Sequence, residues 1–401
     1  MLRKWLVGSQ NLWLTRVYFL IVYIGLGATD PFINLYYVER GLTGTQIGLI
    51  GTLGAVSALI AAPLWGRVSD NSRQPKRWLQ AAMLISGLAL FFLSQQTVYL
   101  FLALFAGINA LVASGVDPLM CAQAMDVVET EKNAGFGSIR LWGSLGYALA
   151  APFGGLVIQR LGIPHIFTIY AASMLVSVLI LVFVNMKPRV KQAVGAAAEQ
   201  VKAVPVQQLI RGIWKNRELM ALILASMVMW GLGGGTRYEA VYLSQIGVPE
   251  SVIGWLSTVG ALIELPMMLL ADRVLRRKGS GFTVRLAFWL TALSFIFVVV
   301  QPTLLSFFLF RFVGGIAYSF MVVSFTVFIV ERAPAQQSAT LLAFYTITVA
   351  GVTGMVFSPL IGFLFDQIGV YWLYVIAMGG CTLAALILQL SVKKRPDKEL
   401  K

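Results

Sequence analysis

Residues 46–55 read QIGLIGTLGA, and residues 252–261 read VIGWLSTVGA. Superposing them places Gly48 on Gly254, Thr52 on Thr258 and Gly54 on Gly260, a separation of 206 residues, about half of the 401-residue chain. A second pair of phrases, PFGGLVIQRLGI (152–163) and PLIGFLFDQIGV (359–370), repeats at an offset of 207, and Asp70 corresponds to Asp272 at 202. The chain therefore carries an internal duplication, and every repeated phrase lies in or beside a long apolar run.

Those runs set the fold class. The chain is 58% hydrophobic and 12% charged, with a mean hydropathy of +0.80, whereas soluble domains are about 25% charged. A soluble globular protein is excluded. Apolar runs long enough to span a bilayer lie near 13–37, 46–66, 78–96, 98–121, 138–160, 166–186, 218–245, 251–272, 283–300, 303–330, 339–365 and 370–392. The expectation is an all-α membrane protein with twelve transmembrane helices in two parallel six-helix repeats. Its parts are an N-terminal bundle over 1–186, a cytoplasmic linker over 187–217 and a C-terminal bundle over 218–401. Six helices per copy is an even number, so both copies start on the same side and are related by an axis along the membrane normal. That is the arrangement of a rocking transporter with its solute site near the midplane; a static scaffold could also arise by duplication.

The net charge of +14 would suggest a nucleic-acid partner in a soluble protein. With both termini in the cytoplasm, however, 26 of the 31 Lys and Arg fall on cytoplasmic segments. The basic excess then reports orientation and contact with anionic lipid head groups, with no nucleic acid. The expected location is the plasma membrane, the inner membrane of a bacterium. Arg3 and Lys4 before an apolar run look like a signal peptide, but the run is long and lacks an Ala-x-Ala site, so it reads as a retained first helix. Cys121 and Cys381 fall inside helices and His165 is the single histidine, which leaves no material for a disulfide framework or a metal site. No cofactor is expected, and no Ser/His, His/Glu or paired-carboxylate set points to an enzyme.

Ionisable residues inside a bilayer cost several kcal/mol unless they meet a partner or water, so they mark function by default. The candidates are Asp30, Asp117, Arg140, Arg237, Glu239, Glu264 and Arg311. Glu264 lies near mid-membrane in helix 8 with no ionisable neighbour within a turn. It is a candidate proton carrier; direct substrate binding and a structural pair are the alternatives. In helix 1, Tyr23, Gly27, Asp30, Asn34 and Tyr37 recur at helical spacing and form one polar and aromatic stripe. By the repeat offset Asp30 maps to Thr236, beside Arg237, which raises an Asp30 to Arg237 gate or clamp; Arg237 could instead pair with Glu239 or reach outward. Arg140 opens helix 5 and can hold a carboxylate, hydroxyl or phosphate through two parallel bonds, with Trp142 beside it, or it can pair with Asp117 or Asp126 as structural glue. Three glycines, Gly233, Gly234 and Gly235, give helix 7 a place to pack closely or bend.

Helix 2 ends in Gly66-Arg67-Val68-Ser69-Asp70, followed by Arg73, and helix 8 ends in Ala271-Asp272-Arg273. These resemble the Gly-x-x-x-Asp-Arg/Lys loop signature of the major facilitator superfamily and its second-half copy, over the whole chain. Asn71, Arg73 and Met268 depart from the usual residues. The resemblance implies gating loops at Gly66, Asp70, Arg73, Asp272 and Arg273, where an acid at one helix end holds a closed state. FGSIRLWGSLGY (136–147), Pro31-Phe32 and the stretch ending at Glu264 resemble a narrower branch, that of the oligosaccharide, nucleoside and phenylpropionate proton symporters. There Arg140 and the aromatic Tyr147 fall on substrate-binding positions. The helix 4 acid of lactose-type members falls at Ala122, and their helix 10 His/Glu pair has no counterpart. Arg311 with Gly315 resembles an Arg-x-x-x-Gly element tied to proton relay, so Arg311 joins Glu264 and Asp30 as coupling candidates. Arg140, Trp142, Tyr147, Asn34, Tyr37, Arg237 and Asp117 are the substrate-binding candidates. The resemblance implies proton-coupled uptake of a small polar or amphipathic organic solute by a monomer, through rocker-switch alternating access. Proton-driven efflux is the alternative within transport, and a membrane receptor or scaffold the alternative outside it.

Overall fold

The computed structural model describes residues 9–72, 74–130, 135–185, 213–214, 216–333 and 337–392. The described residues contain eleven helices long and apolar enough to cross a membrane, of which the last, Thr340–Ser391, runs for 52 residues. Gly369 interrupts it at φ +78°, a conformation open to glycine and costly for other residues. Two spans result, so the described chain crosses twelve times. We number them α1 (Gln10–Glu39), α2 (Gly44–Asn71), α3 (Pro75–Ser94), α4 (Tyr99–Thr130), α5 (Phe136–Leu161) and α6 (His165–Phe183). The second set is α7 (Arg217–Gln245), α8 (Glu250–Lys278), α9 (Ser280–Val300), α10 (Leu304–Arg332), α11 (338–368) and α12 (370–391).

Two corresponding helices are broken at corresponding places. α1 tightens to a 3-10 turn at Asp30–Phe32, around Pro31, and α7 does so at Gly233–Tyr238, through its three glycines. α11 carries a π-turn at Phe344–Val349. Pro63, Pro118, Pro152, Pro266 and Pro359 lie inside helices, which membrane helices tolerate because neighbours re-satisfy the freed backbone groups. Caps repeat as well: Ser9 accepts the Leu12 amide at the start of α1, and Asn216 accepts those of Glu218 and Leu219 at the start of α7.

The chain divides into two compact units. One holds 1–193 together with 243–258, the other 194–242 together with 259–401. In the first, α1 packs on α5 and α6, and α3 on α4 and α6. Lipid offers helices no hydrophobic reason to associate, so close backbone contact must do the work. A Cβ on Gly146 of α5 would lie 2.3 Å from the Leu20 carbonyl oxygen of α1, and one on Gly27 of α1 would lie 2.5 Å from that of Tyr147. These glycines let the two backbones touch. The beginning of α8 belongs to the same unit, where the Thr258 hydroxyl donates to the Ala148 carbonyl at 2.6 Å. In the second unit α9 packs on α10, and α7 on the α11–α12 stretch. Arg332, nearly buried at the end of α10, pairs with Glu218 and Glu331 there, while Asn216 donates to its carbonyl at 3.2 Å.

Candidate functional site

Each unit gathers one set of intramembrane charges. In the first, α1, α4 and α5 meet at Tyr23. Gly143 of α5, where a Cβ would lie 2.8 Å from the Tyr23 ring, lets that ring lie against the helix. The Tyr23 hydroxyl donates to Asp117 Oδ1 at 2.6 Å, and the Arg140 guanidinium sits 4.5 Å from the Tyr23 ring centre. Arg140 Nη1 lies 3.6 Å from the same Asp117 oxygen, with the two side chains 43% and 60% exposed. The Cys121 thiol donates weakly to the other oxygen, Asp117 Oδ2, at 3.9 Å. The helix 4 acid beside Arg140 is thus Asp117, five residues before Ala122. Trp142 meets Trp13 edge to face at 5.6 Å.

The second set is built on α7, α8 and α10. Arg311 Nε donates to Glu239 Oε1 at 2.7 Å; the Glu239 side chain is 6% exposed and that of Arg311 35%. Gly315, one turn after Arg311, lies where a Cβ would be 3.0 Å from the Gly260 carbonyl oxygen of α8. This close approach of α10 to α8 gives the Arg311-x-x-x-Gly315 spacing a physical reason, and it lays the Arg311 side chain against Gly260, one turn before Glu264. Glu264 is half-buried, and its carbonyl accepts the Ser319 hydroxyl at 3.1 Å.

The remaining sequence candidates land as follows. Arg237 donates from Nη1 to Ser358 Oγ on α11 at 2.7 Å, and its neighbour Glu239 pairs with Arg311. Asp30 is exposed at the 3-10 turn of α1. The helix 1 stripe is divided: Gly27 is used for packing on Tyr147, Tyr37 is buried against Tyr36, and Asn34 and Tyr147 are half-buried. Gly66 is exposed near the end of α2, whose last turn includes Asp70, and Arg73 lies outside the described residues. Asp272 pairs with Arg276 of its own helix at 2.9 Å, and Arg273 is exposed. Some cations that the sequence assigns to topology turn out to be internal. Arg16 is 2% exposed and donates to Ser138 at 3.3 Å; Arg285 is 8% exposed and donates to the Val392 carbonyl at 3.1 Å. Both lie within a few residues of a helix start, so a count of charges by loop cannot tell them from head-group contacts.

The sequence profile of the MFS_1 like family matches residues 11–376. The chain belongs to this family of major facilitator transporters. The maltose permease of Geobacillus stearothermophilus is 26% identical, over 98% of this chain and 97% of the permease. The probable 3-phenylpropionic acid transporter of Escherichia coli (strain K12) is 26% identical over 69% of this chain and 70% of its own. The solved structure of the nucleoside transporter NupG, in a mutant form, superposes with a TM-score of 0.86 at 16% identity, covering 96% of this chain and 100% of that one. At that identity the likeness concerns the fold. This major facilitator chain is accordingly a multi-pass membrane transporter, not an enzyme.

Proposed function

We propose that this transporter carries a small polar or amphipathic organic solute, of the sugar, nucleoside or aromatic-acid class, into the cell together with protons. It does so as a monomer in the bacterial inner membrane, with both termini cytoplasmic, by rocker-switch alternating access. The observation that carries the reading is the half-exposed Tyr23–Asp117–Arg140 cluster. At 3.6 Å the Arg140–Asp117 contact is long for a charge-assisted hydrogen bond, which is about 2.8 Å when well made. A solute hydroxyl placed between the two can donate to Asp117 and accept from Arg140, improving both contacts at once. Arg140 adds a planar fork for a carboxylate or a second hydroxyl, and the Tyr23 ring adds a flat face beneath it. The proton role falls to Glu264 because Arg311 is already engaged by Glu239, which leaves Glu264 as the carboxylate whose charge a proton can balance. Asp30, which forms no ion pair among the described residues, is the second such acid.

The test is pH-gradient-driven uptake in proteoliposomes across sugars, nucleosides and aromatic acids. Wild type accumulates one of these classes, while Glu264→Gln loses accumulation and still exchanges labelled for unlabelled solute. Undiminished gradient-driven accumulation by Glu264→Gln would remove the proton role from this residue. Absence of flux for all three classes would end the substrate assignment.

A further inference from the structure

Arg237 fixes which side of α7 meets water. A guanidinium at this depth is costly in lipid, and Arg237 is exposed, so the face of α7 that carries it borders an aqueous path. Back along the helix, Gly234, Trp230, Met227 and Ile223 precede it at intervals of 3, 4, 3 and 4 residues, and none of the four is buried. Ser226, Met229, Gly231 and Gly235, which lie between them in sequence, are buried. Three α steps of about 100° and four 3-10 steps of about 120° leave Arg237 about 60° round from Trp230 and about 12 Å further along the axis. The two side chains therefore share one accessible face.

Trp230 is braced from behind. Its ring centre lies 5.3 Å from that of Tyr345 on α11 and 6.3 Å from that of Phe325 on α10. Tyr345 and Phe325 meet edge to face at 5.4 Å, and Phe288 of α9 backs Phe325 at 5.8 Å. These three rings are buried, and the Tyr345 hydroxyl donates to Ser226 Oγ on α7. Tyr345 is set by the π-turn of α11, a distortion frequent at functional sites. Trp230 is the half-buried member of the group. It lies about 20 Å from the start of α7, near mid-bilayer, so the interfacial anchoring that usually exposes a tryptophan does not account for it.

α11 holds the other end as well. Ser358 accepts from Arg237 Nη1 at 2.7 Å and fixes the guanidinium on the same face. A flat platform and a planar cationic fork thus stand two turns apart, both supported by α11. Between them lies Gly234, which has no side chain to block a ligand and none to bond one. A sugar or nucleoside carries hydroxyls along its length and finds no side-chain partner on that stretch, whereas a methylene chain needs none. We infer that this face of α7 is an aromatic-acid subsite, where Trp230 stacks the ring of an arylalkanoate and Arg237 holds its carboxylate. Trp230 is the residue that selects the ring. The subsite rests on the uptake reading above and narrows its three solute classes to one.

The experiment is equilibrium binding to the full-length protein in detergent, with no gradient. The probes are phenylalkanoates with one to four methylenes, the carboxamides of the same compounds, and their cyclohexyl analogues. Wild type should prefer acid to amide by roughly 10- to 100-fold and phenyl to cyclohexyl by about 2- to 10-fold. Trp230→Leu should abolish the ring preference and keep the acid preference; Arg237→Gln should do the reverse. Trp230→Phe should restore part of the ring preference, which a role in packing alone would not predict. Trp230→Met serves if Trp230→Leu does not fold, and Arg237→Lys if Arg237→Gln does not. No binding of any phenylalkanoate by wild type, an intact ring preference without Trp230, or loss of both preferences together in either variant overturns the subsite. Gradient-driven uptake of a sugar or nucleoside, unaltered by Trp230→Leu, would overturn the subsite and leave the uptake reading standing. Binding of the acids with the stated preferences but without uptake of any class would do the opposite.

Discussion

The two halves each place one arginine against one carboxylate inside the membrane, and they build the pair differently. In the first half Arg140 and Asp117 are 3.6 Å apart and about half exposed; in the second, Arg311 and Glu239 are 2.7 Å apart, with Glu239 almost wholly enclosed. Loosely held, accessible charges can exchange each other for a ligand at small cost. A close pair with one buried member cannot separate without leaving a charge bare in low dielectric. The two pairs also stand on helix pairs that the duplication does not match, α4 and α5 in the first half against α7 and α10 in the second, so each half built its pair independently.

The largest effect that would break this comparison lies in the second half. Glu239→Gln leaves the Arg311 guanidinium without its anion and is expected to destabilise the protein by about 3 kcal/mol, the low end for a broken buried pair because Arg311 is one-third exposed. Thermal unfolding in detergent measures this, and Glu239→Gln with Arg311→Gln should recover most of the loss. A Glu239→Gln protein as stable as wild type would mean that the pair holds nothing. Next comes Arg140→Lys, which keeps the charge and loses both the planar fork and the stacking on Tyr23. Uptake kcat/KM is expected to fall about 10- to 100-fold, while stability moves by less than about 1 kcal/mol, as for other exposed pairs. A loss of stability like that of Glu239→Gln would make the two pairs alike and remove the distinction.

What could be read before any coordinates follows from what leaves a mark in composition. Apolar runs and the 206-residue offset record the spans and their duplication, because the bilayer tolerates little else. Intramembrane charge recorded Arg140, Asp117, Glu239, Glu264 and Arg311, because each is costly unless partnered. Of the two pairs, Arg140 with Asp117 was among the alternatives the sequence offered, and Arg311 with Glu239 was not legible. Arg311 on α10 is 72 residues from Glu239 on α7, and nothing in the spacing of the sequence ties the two together. Tyr23 was visible as part of a helical stripe, yet its place beneath Arg140 depends on Gly143 of another helix. Trp230 left no trace, since a tryptophan inside an apolar run looks like an ordinary membrane-helix residue. Arg16 and Arg285 misled for the opposite reason: a cation near a helix start reads as topogenic whether it faces the head groups or turns inward.

The smallest effect concerns a pair of contacts in which the two halves do the same job. Lys76, at the start of α3, donates from Nζ to the carbonyls of Val182 and Val184 at 3.1 and 2.9 Å, where α6 ends. Arg285, early in α9, donates to the carbonyl of Val392, where α12 ends. In each half, then, a cation of the third helix caps the last carbonyls of the sixth. A cation at a helix C-terminus contributes about 0.3–1 kcal/mol when exposed and up to about 2 when partly buried. Lys76 is half-exposed and Arg285 is 8% exposed, so Arg285→Ala should cost more than Lys76→Ala, by roughly 1 kcal/mol against 0.5. Hydrogen exchange at the last turn of α6 and of α12 checks this locally: each substitution should speed exchange at its own helix end and leave the other unchanged. Equal and negligible effects at both ends would return these two cations to the head-group role that charge counting gave them.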